Sequence, residues 1–71
     1  MKRLKKNTPT RSCTDVGEGD YVKVGPNWEK ITYNTAAGKS RTPRDWHIKT
    51  EKGRNVSMWT ARRYAKAEDL E

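Results

Sequence analysis

Residues 46–59 contain two runs of alternating apolar and polar residues on either side of a Lys52-Gly53 turn. This alternation gives one apolar face for a core and one polar face for solvent, as a pair of half-buried strands requires. Gly53 can adopt the positive φ of a tight hairpin turn without steric cost. Lysine, arginine and tryptophan interleave along both runs. The stretch therefore predicts a β-hairpin within a small β protein that has a basic and aromatic surface.

The chain is short and poor in aliphatic residues. Its 71 residues include eight Val, Ile and Leu and no Phe, and the net charge is +7. Such a composition is typical of disorder. However, all three Trp and all three Tyr follow residue 20, and each buried aromatic removes about 150–250 Å² from water. We therefore expect a disordered basic arm at residues 1–15 and one small folded domain at residues 16–71.

Four segments alternate like strands: residues 21–24, 28–33, 45–50 and 54–59. In the second segment, Ile31 and Tyr33 fall on one face. Pairing the last two segments places Trp46 and Ile48 on the same face as Val56. The expected core consists of the apolar residues on the inner faces: Val22, Val24, Ile31, Trp46, Ile48, Val56 and Met58.

The C-terminal segment allows two structures. Its Ala, Arg, Lys and Glu content has good helix propensity, and Ser57 can cap a helix over residues 57–70. Its apolar residues form only a partial helical stripe, however. The other structure is a helical turn at residues 61–63 followed by a short closing strand at residues 64–67. Both remain open at the level of sequence.

Two short motifs carry a family resemblance over residues 19–70. Gly19-Asp20-Tyr21-Val22-Lys23-Val24 resembles the opening strand of KOW- and Tudor-type barrels, and Ala67-Glu68-Asp69-Leu70 resembles their closing segment. The chain thus resembles an SH3-like small barrel. This implies a mainly β fold of four to five antiparallel strands with a short C-terminal helical turn, and a binding module for nucleic acid or protein. The alternative is a winged-helix-like α+β domain with a helix at 57–70.

Catalytic and metal-binding residues are few. His47 is the only histidine and lies beside Lys49, where a solvated or packed imidazole is commoner than a general base. One Cys and one His do not supply the three or four ligands of a zinc site. Gly38-Lys39-Ser40 lacks the upstream glycine of a phosphate-binding loop. We expect a non-enzyme without metal or cofactor.

The same features bear on cellular location. Cys13 is the only cysteine, so an intrachain disulfide is impossible and a reducing compartment is favoured. The charged residues 1–6 are not followed by the apolar segment of a signal peptide, and no stretch approaches the length of a membrane span. We expect a cytoplasmic protein without a membrane partner.

Charge points to an anionic partner. Sixteen Lys and Arg stand against nine Asp and Glu, a balance typical of nucleic-acid binding when it is accompanied by exposed aromatics. The loop at residues 34–44 contains three cations and no acid, and it loses less entropy on binding than a disordered arm. The predicted phosphate contacts are Lys30, Lys39, Arg41, Arg44, Arg54, Arg62 and Arg63, with Trp28 and Trp59 as stacking residues.

These residues predict a small, non-catalytic nucleic-acid-binding module, with DNA and RNA equally open. The alternative is a small adaptor or inhibitor that binds a protein partner, such as an RNA polymerase or nuclease subunit. Trp and Arg are the residue types that dominate protein interfaces energetically, so they fit both functions. Steep weakening by salt is expected only where phosphate contacts release condensed counterions.

Overall fold

A computed structural model describes residues 3–41, 43–57 and 63–71. Within these ranges the chain forms strands β1 (Tyr21–Val24), β2 (Asn27–Asn34), β3 (Ile48–Thr50), β4 (Asn55–Val56) and β5 (Tyr64–Ala65), followed by a 3-10 turn at Ala67–Asp69. The strands pair antiparallel in one open sheet of order β4-β3-β2-β1-β5. The predicted mainly β fold, with a short C-terminal helical turn, is therefore confirmed.

The winged-helix-like alternative with one helix over residues 57–70 is wrong. Tyr64 and Ala65 pair with Val22 and Tyr21, which places β5 inside that range. This pairing satisfies the backbone groups on one edge of β1, which a helix would leave unpaired. The predicted helical turn at 61–63 falls mainly outside the described residues.

The hairpins form where the turn residues predict them. Val24 pairs with Asn27, so Gly25 and Pro26 make a two-residue connection, and Gly25 has the positive φ of 60° that its first position requires. Pro26 lies in the connection, as predicted, where it removes no ladder hydrogen bond. The four residues 51–54 join β3 to β4, and Gly53 among them has a φ of 79°. β3 is shorter than the predicted segment 45–50, and β4 covers only Asn55–Val56 of the predicted segment 54–59, whose residues 58 and 59 lie outside the described residues.

A β-bulge interrupts β2 and reverses the direction of its side chains. Ile31 pairs with Thr50, but Tyr33 pairs with Lys49, so Thr32 is an extra residue in the ladder. The prediction that Ile31 and Tyr33 share a face is therefore wrong. Ile31 is buried, whereas Tyr33 is 52% exposed.

The main core lies under the inner face of the sheet. It consists of Val16, Val22, Ile31, Ala36, Trp46, Ile48 and Val56, with Cys13, Val24 and Tyr64 packed partly buried against it. Most of the predicted core is confirmed, and Met58 lies outside the described residues. Val16 and Ala36 were not predicted because neither stands in a segment with strand periodicity.

Asn34 fixes three chain segments around this core. Its Nδ2 donates to the backbone oxygens of Cys13 and Val16, each at 2.8 Å. Its Oδ1 accepts from the backbone N–H of Ala36 at 2.9 Å and from Trp46 Nε1 at 3.2 Å. One amide side chain thus joins the segment before β1, the loop after β2 and the largest core residue.

The N-terminal segment lies along the C-terminal residues. Leu4 forms an antiparallel bridge with Leu70, and the Lys5 N–H donates to the Asp69 carbonyl at 2.9 Å. Arg11 makes two hydrogen bonds to the Asp69 carboxylate, at 2.9 and 3.1 Å. The disordered arm over residues 1–15 stays a prediction about dynamics, and these contacts favour an ordered segment.

Candidate functional site

The outer face of the sheet combines lysines with aromatic rings. Strand pairing and alternation place Lys23 of β1, Trp28, Lys30 and Tyr33 of β2, and Lys49 of β3 on the side opposite the core. His47 lies just before β3. We call these six residues the basic aromatic face: Lys23, Trp28, Lys30, Tyr33, His47 and Lys49. No strand residue on this face in the described part of the chain is acidic.

The β1–β2 turn aligns the first half of this face. A two-residue connection sets the register in which Lys23 pairs directly with Trp28. The Lys23 ammonium then lies 5.5 Å from the centre of the half-buried indole ring, within cation–π range. Lys30 is exposed two residues further along β2. The result is a large ring flanked by two cations on neighbouring strands.

The bulge at Thr32 creates the second half of the face. It turns the Tyr33 ring outward, where the ring contacts His47 with centroids 5.7 Å apart and planes tilted by 55°. Lys49 is exposed and pairs with Tyr33 across the strands. The His47 backbone is held by Thr35, whose Oγ1 accepts from the His47 N–H at 2.9 Å. A second aromatic–cation pair therefore stands near the far end of β2.

Glu29 is the acidic residue of β2, and it is turned away from this face. Its carboxylate is 3% exposed and accepts hydrogen bonds from Thr50 Oγ1 and Arg54 Nε, each at 2.8 Å. Arg54, a predicted phosphate contact, is therefore engaged with a buried carboxylate although its side chain is 56% exposed. Because Glu29 is buried and paired, no strand carboxylate faces the outer lysines, although the exposed Glu18 and Glu51 of the adjoining turns border Lys30.

The loop between β2 and β3 presents a second group of cations. Lys39, Arg41 and Arg44 are exposed and line a shallow depression with Ser40 and Pro43. The loop leaves the sheet at the end that carries Tyr33 and His47. Its first part is tied back to the domain, since the Gly38 N–H donates to the Thr14 carbonyl at 3.1 Å.

Arg63 lies next to β1, where its backbone oxygen accepts from the Lys23 N–H at 3.0 Å. It borders a cleft of about 250 Å³ together with Leu4, Pro9, Arg11 and Tyr64. Burial raises the pKa of Tyr64 to about 12, with a further contribution from Cys13, so its hydroxyl stays protonated at neutral pH. The other predicted site residues, Arg62 and Trp59, lie outside the described residues.

The structure thus brings five of the nine predicted residues into two groups and adds four that were not predicted. Trp28 and Lys30 belong to the sheet face, and Lys39, Arg41 and Arg44 belong to the loop. The missed residues are Lys23, Tyr33, His47 and Lys49. Lys23 was accessible to prediction, because a Gly-Pro two-residue turn implies its pairing with Trp28. Tyr33 and its neighbours depended on a bulge without a local sequence signal.

Among residues 3–41, 43–57 and 63–71, no group of three His, Cys, Asp or Glu side chains is placed to hold a metal ion. No helix in these ranges is long and apolar enough to span a bilayer. The chain matches no known protein family, no curated protein and no solved structure.

Proposed function

We propose that the protein is a small, non-catalytic nucleic-acid-binding module and that its ligand lies on the basic aromatic face. The observation that carries this proposal is the alternation of lysines with accessible rings on a sheet face without acidic strand residues. Lysines attract phosphates, and rings stack on bases. An apolar protein surface would use the rings but would leave the lysines desolvated and unpaired.

The contact between Lys23 and Trp28 is compatible with ligand binding. A cation–π contact at an exposed site is worth about 0.5–1 kcal/mol. A base stacked on an aromatic side chain is worth about 1–3 kcal/mol. A base can therefore replace the ammonium over the indole, and the displaced ammonium gains a phosphate within reach.

The loop cations extend the same surface in this proposal. Lys39, Arg41 and Arg44 stand on a loop that leaves the Tyr33 end of β2, so a ligand on the sheet meets them as it continues. Together with the three lysines of the face they offer six cations. The protein-binding alternative has no comparable support, because Tyr33 is the only large apolar or aromatic side chain that is strongly exposed among the described residues.

We include in this proposal that the sheet is an SH3-like small barrel and that the protein is cytoplasmic. A small barrel of this kind needs its last strand to return beside the first, and β5 pairs with β1. Such a barrel also needs one strongly bent strand that takes part in both halves of the barrel. The bulge in β2 supplies a local bend and extra twist. The single cysteine favours a reducing compartment.

Fluorescence anisotropy with dye-labelled 20-nucleotide DNA and RNA, between 50 and 200 mM salt, tests the proposal. We compare the triple variant Lys23→Gln, Lys30→Gln, Lys49→Gln with a charge-matched control, Lys5→Gln, Lys6→Gln, Lys52→Gln, whose lysines are exposed but lie off the face. The face variant should weaken binding about tenfold or more at 50 mM salt. Its logarithmic salt slope should fall by about 2, since each single-strand phosphate contact contributes about 0.7.

The control triple should change affinity by less than about threefold, through long-range attraction only. Equal losses in the two variants would mean that net charge, and not the face, determines binding. If the parent binds neither DNA nor RNA at 50 mM salt, the proposal is wrong and the protein-partner alternative replaces it.

A further inference from the structure

We infer that the ligand is single-stranded nucleic acid that runs along β2, with one unpaired base stacked on Trp28 and another on Tyr33. This inference rests on the proposed function and narrows its substrate class. The two rings belong to one strand, near the centre of the sheet, and lysines accompany them on both neighbouring strands.

The spacing of the rings fits several nucleotides. Trp28 and Tyr33 are five residues apart on β2, but the bulge at Thr32 reduces the advance along the sheet to four steps, or about 13 Å at about 3.3 Å per residue. A single strand covers this distance with about four nucleotides at a spacing of about 3.4 Å. Small β modules bind about 4–16 nucleotides each, so the length is within their range.

The cations lie where the backbone of such a strand would pass. Lys30 stands between the two rings on β2, while Lys23 and Lys49 stand beside Trp28 and Tyr33 on β1 and β3. Adjacent strands are about 4.8 Å apart, so each lysine side chain can reach a phosphate while its neighbouring ring holds a base. Rings and lysines thus alternate along the path, and Glu18 and Glu51 of the adjoining turns border its middle at Lys30.

A duplex cannot use the rings in this way. Its bases are stacked on one another, and their flat faces are inaccessible to a side chain on a sheet surface. The Tyr33 ring is 52% exposed and is supported at an angle by His47, so it offers an accessible and oriented stacking surface. A ligand that offered only duplex phosphates would not stack on this ring.

The test measures affinities of the full chain for a dye-labelled 12-nucleotide DNA, the same sequence as RNA, and the matching 12-base-pair DNA duplex at 50 mM salt. The parent should bind a single strand at least about tenfold more tightly than the duplex, although the duplex carries more charge. Tyr33→Leu and Trp28→Leu should each weaken single-strand binding about 5- to 100-fold, which corresponds to the loss of one stacked base. Duplex binding should change by less than about twofold.

Two control variants separate the loss of the stacking ring from the loss of the tyrosine hydroxyl and from a change in charge. Tyr33→Phe retains a stacking surface and should keep single-strand affinity within about twofold. Lys52→Gln removes a charge from the β3–β4 turn and should affect both ligands equally. The DNA and RNA arms decide which chemical form is preferred, and either preference supports the inference.

The outcomes distinguish this inference from the proposed function. The inference is overturned if the parent binds single strand and duplex with equal affinity and Tyr33→Leu weakens binding to both equally. The proposed nucleic-acid binding would then still stand. Absence of binding to all three ligands overturns both. If Trp28→Leu unfolds, Tyr33→Leu still decides the matter, because Tyr33 is exposed and contributes little to the core.

Discussion

At the scale of single residues, two of the arginines contact different groups from the lysines of the sheet face. Arg54 and Arg11 each pair with a buried carboxylate, on Glu29 and Asp69 respectively. The guanidinium group suits this role because its donors match carboxylate oxygens in a fixed geometry. The lysines of the sheet face have no acidic neighbour on the strands, and the Lys23 ammonium lies over the Trp28 ring instead. Charge composition alone could not predict this division.

Arg54→Gln should therefore destabilise the fold more than it weakens ligand binding. Glu29 would retain Thr50 as a donor but lose its charged partner, at a cost of about 1–3 kcal/mol. Urea unfolding measures this cost. Lys52→Gln is the control, since it removes the same charge from the same hairpin and should change stability by less than about 0.5 kcal/mol. If Arg54→Gln is as stable as the control but binds DNA tenfold less tightly, Arg54 is a ligand contact as the sequence analysis predicted.

At the scale of elements, local turn chemistry made much of the sheet predictable. Alternation around Gly53 located the β3–β4 hairpin and placed Ile48 and Val56 on the same, inner face. The sequence could not predict which side chains of β2 beyond Ile31 point toward the core, because the bulge at Thr32 depends on how β2 bends across the sheet. Tyr33 was placed on the inner face for that reason, so its position beside His47 and Lys49 was missed. The fifth strand was one of two open alternatives, since its short sequence has adequate helix propensity and its pairing with β1 is long-range.

Gly53→Ala tests the turn that defines this hairpin. Gly53 has φ 79°, and an added Cβ would meet no atom within 4 Å. The cost is therefore backbone strain alone, about 1–2 kcal/mol. Gly17→Ala is the matched control, because its Cβ would make an ordinary 3.6 Å contact with Ala37 at a φ that L residues tolerate. Thermal unfolding should show a clear loss for Gly53→Ala and a smaller change for Gly17→Ala; equal midpoints would contradict the turn conformation.

At the scale of the whole molecule, contacts that no local sequence pattern predicts hold the N-terminal and C-terminal segments together. Arg11 and Asp69 are 58 residues apart, and Leu4 pairs with Leu70. Composition alone led to the prediction of a disordered basic arm. The contacts instead connect residues 3–15 to the 3-10 turn, and a further hydrogen bond joins the Asp20 carboxylate to the Ala67 N–H at 3.1 Å.

The Arg11–Asp69 pair makes the order of this segment dependent on pH. Hydrogen bonds from Arg11, with a further one from the Lys66 N–H, hold the pKa of Asp69 below its ordinary value of 3.8. A carboxyl group with a lowered folded-state pKa stabilises the fold fully above its unfolded value and loses that contribution as pH falls through the folded value. We therefore expect the N-terminal segment to be ordered at pH 6 and to loosen below about pH 4.

Backbone NMR order parameters for residues 4–13 measure this directly. The parent should give rigid values, about 0.8, at pH 6 and values below about 0.6 once Asp69 is protonated. Asp69→Asn should give order parameters below about 0.6 at both pH values, because it removes the carboxylate charge without a change of pH. Asp15→Asn is the control: the pKa of Asp15 is also lowered, but by Ser12 within its own turn, so its loss should act locally. Low order parameters in the parent at pH 6 would instead establish the disordered arm, and with it a sheet that holds together without its N-terminal contacts.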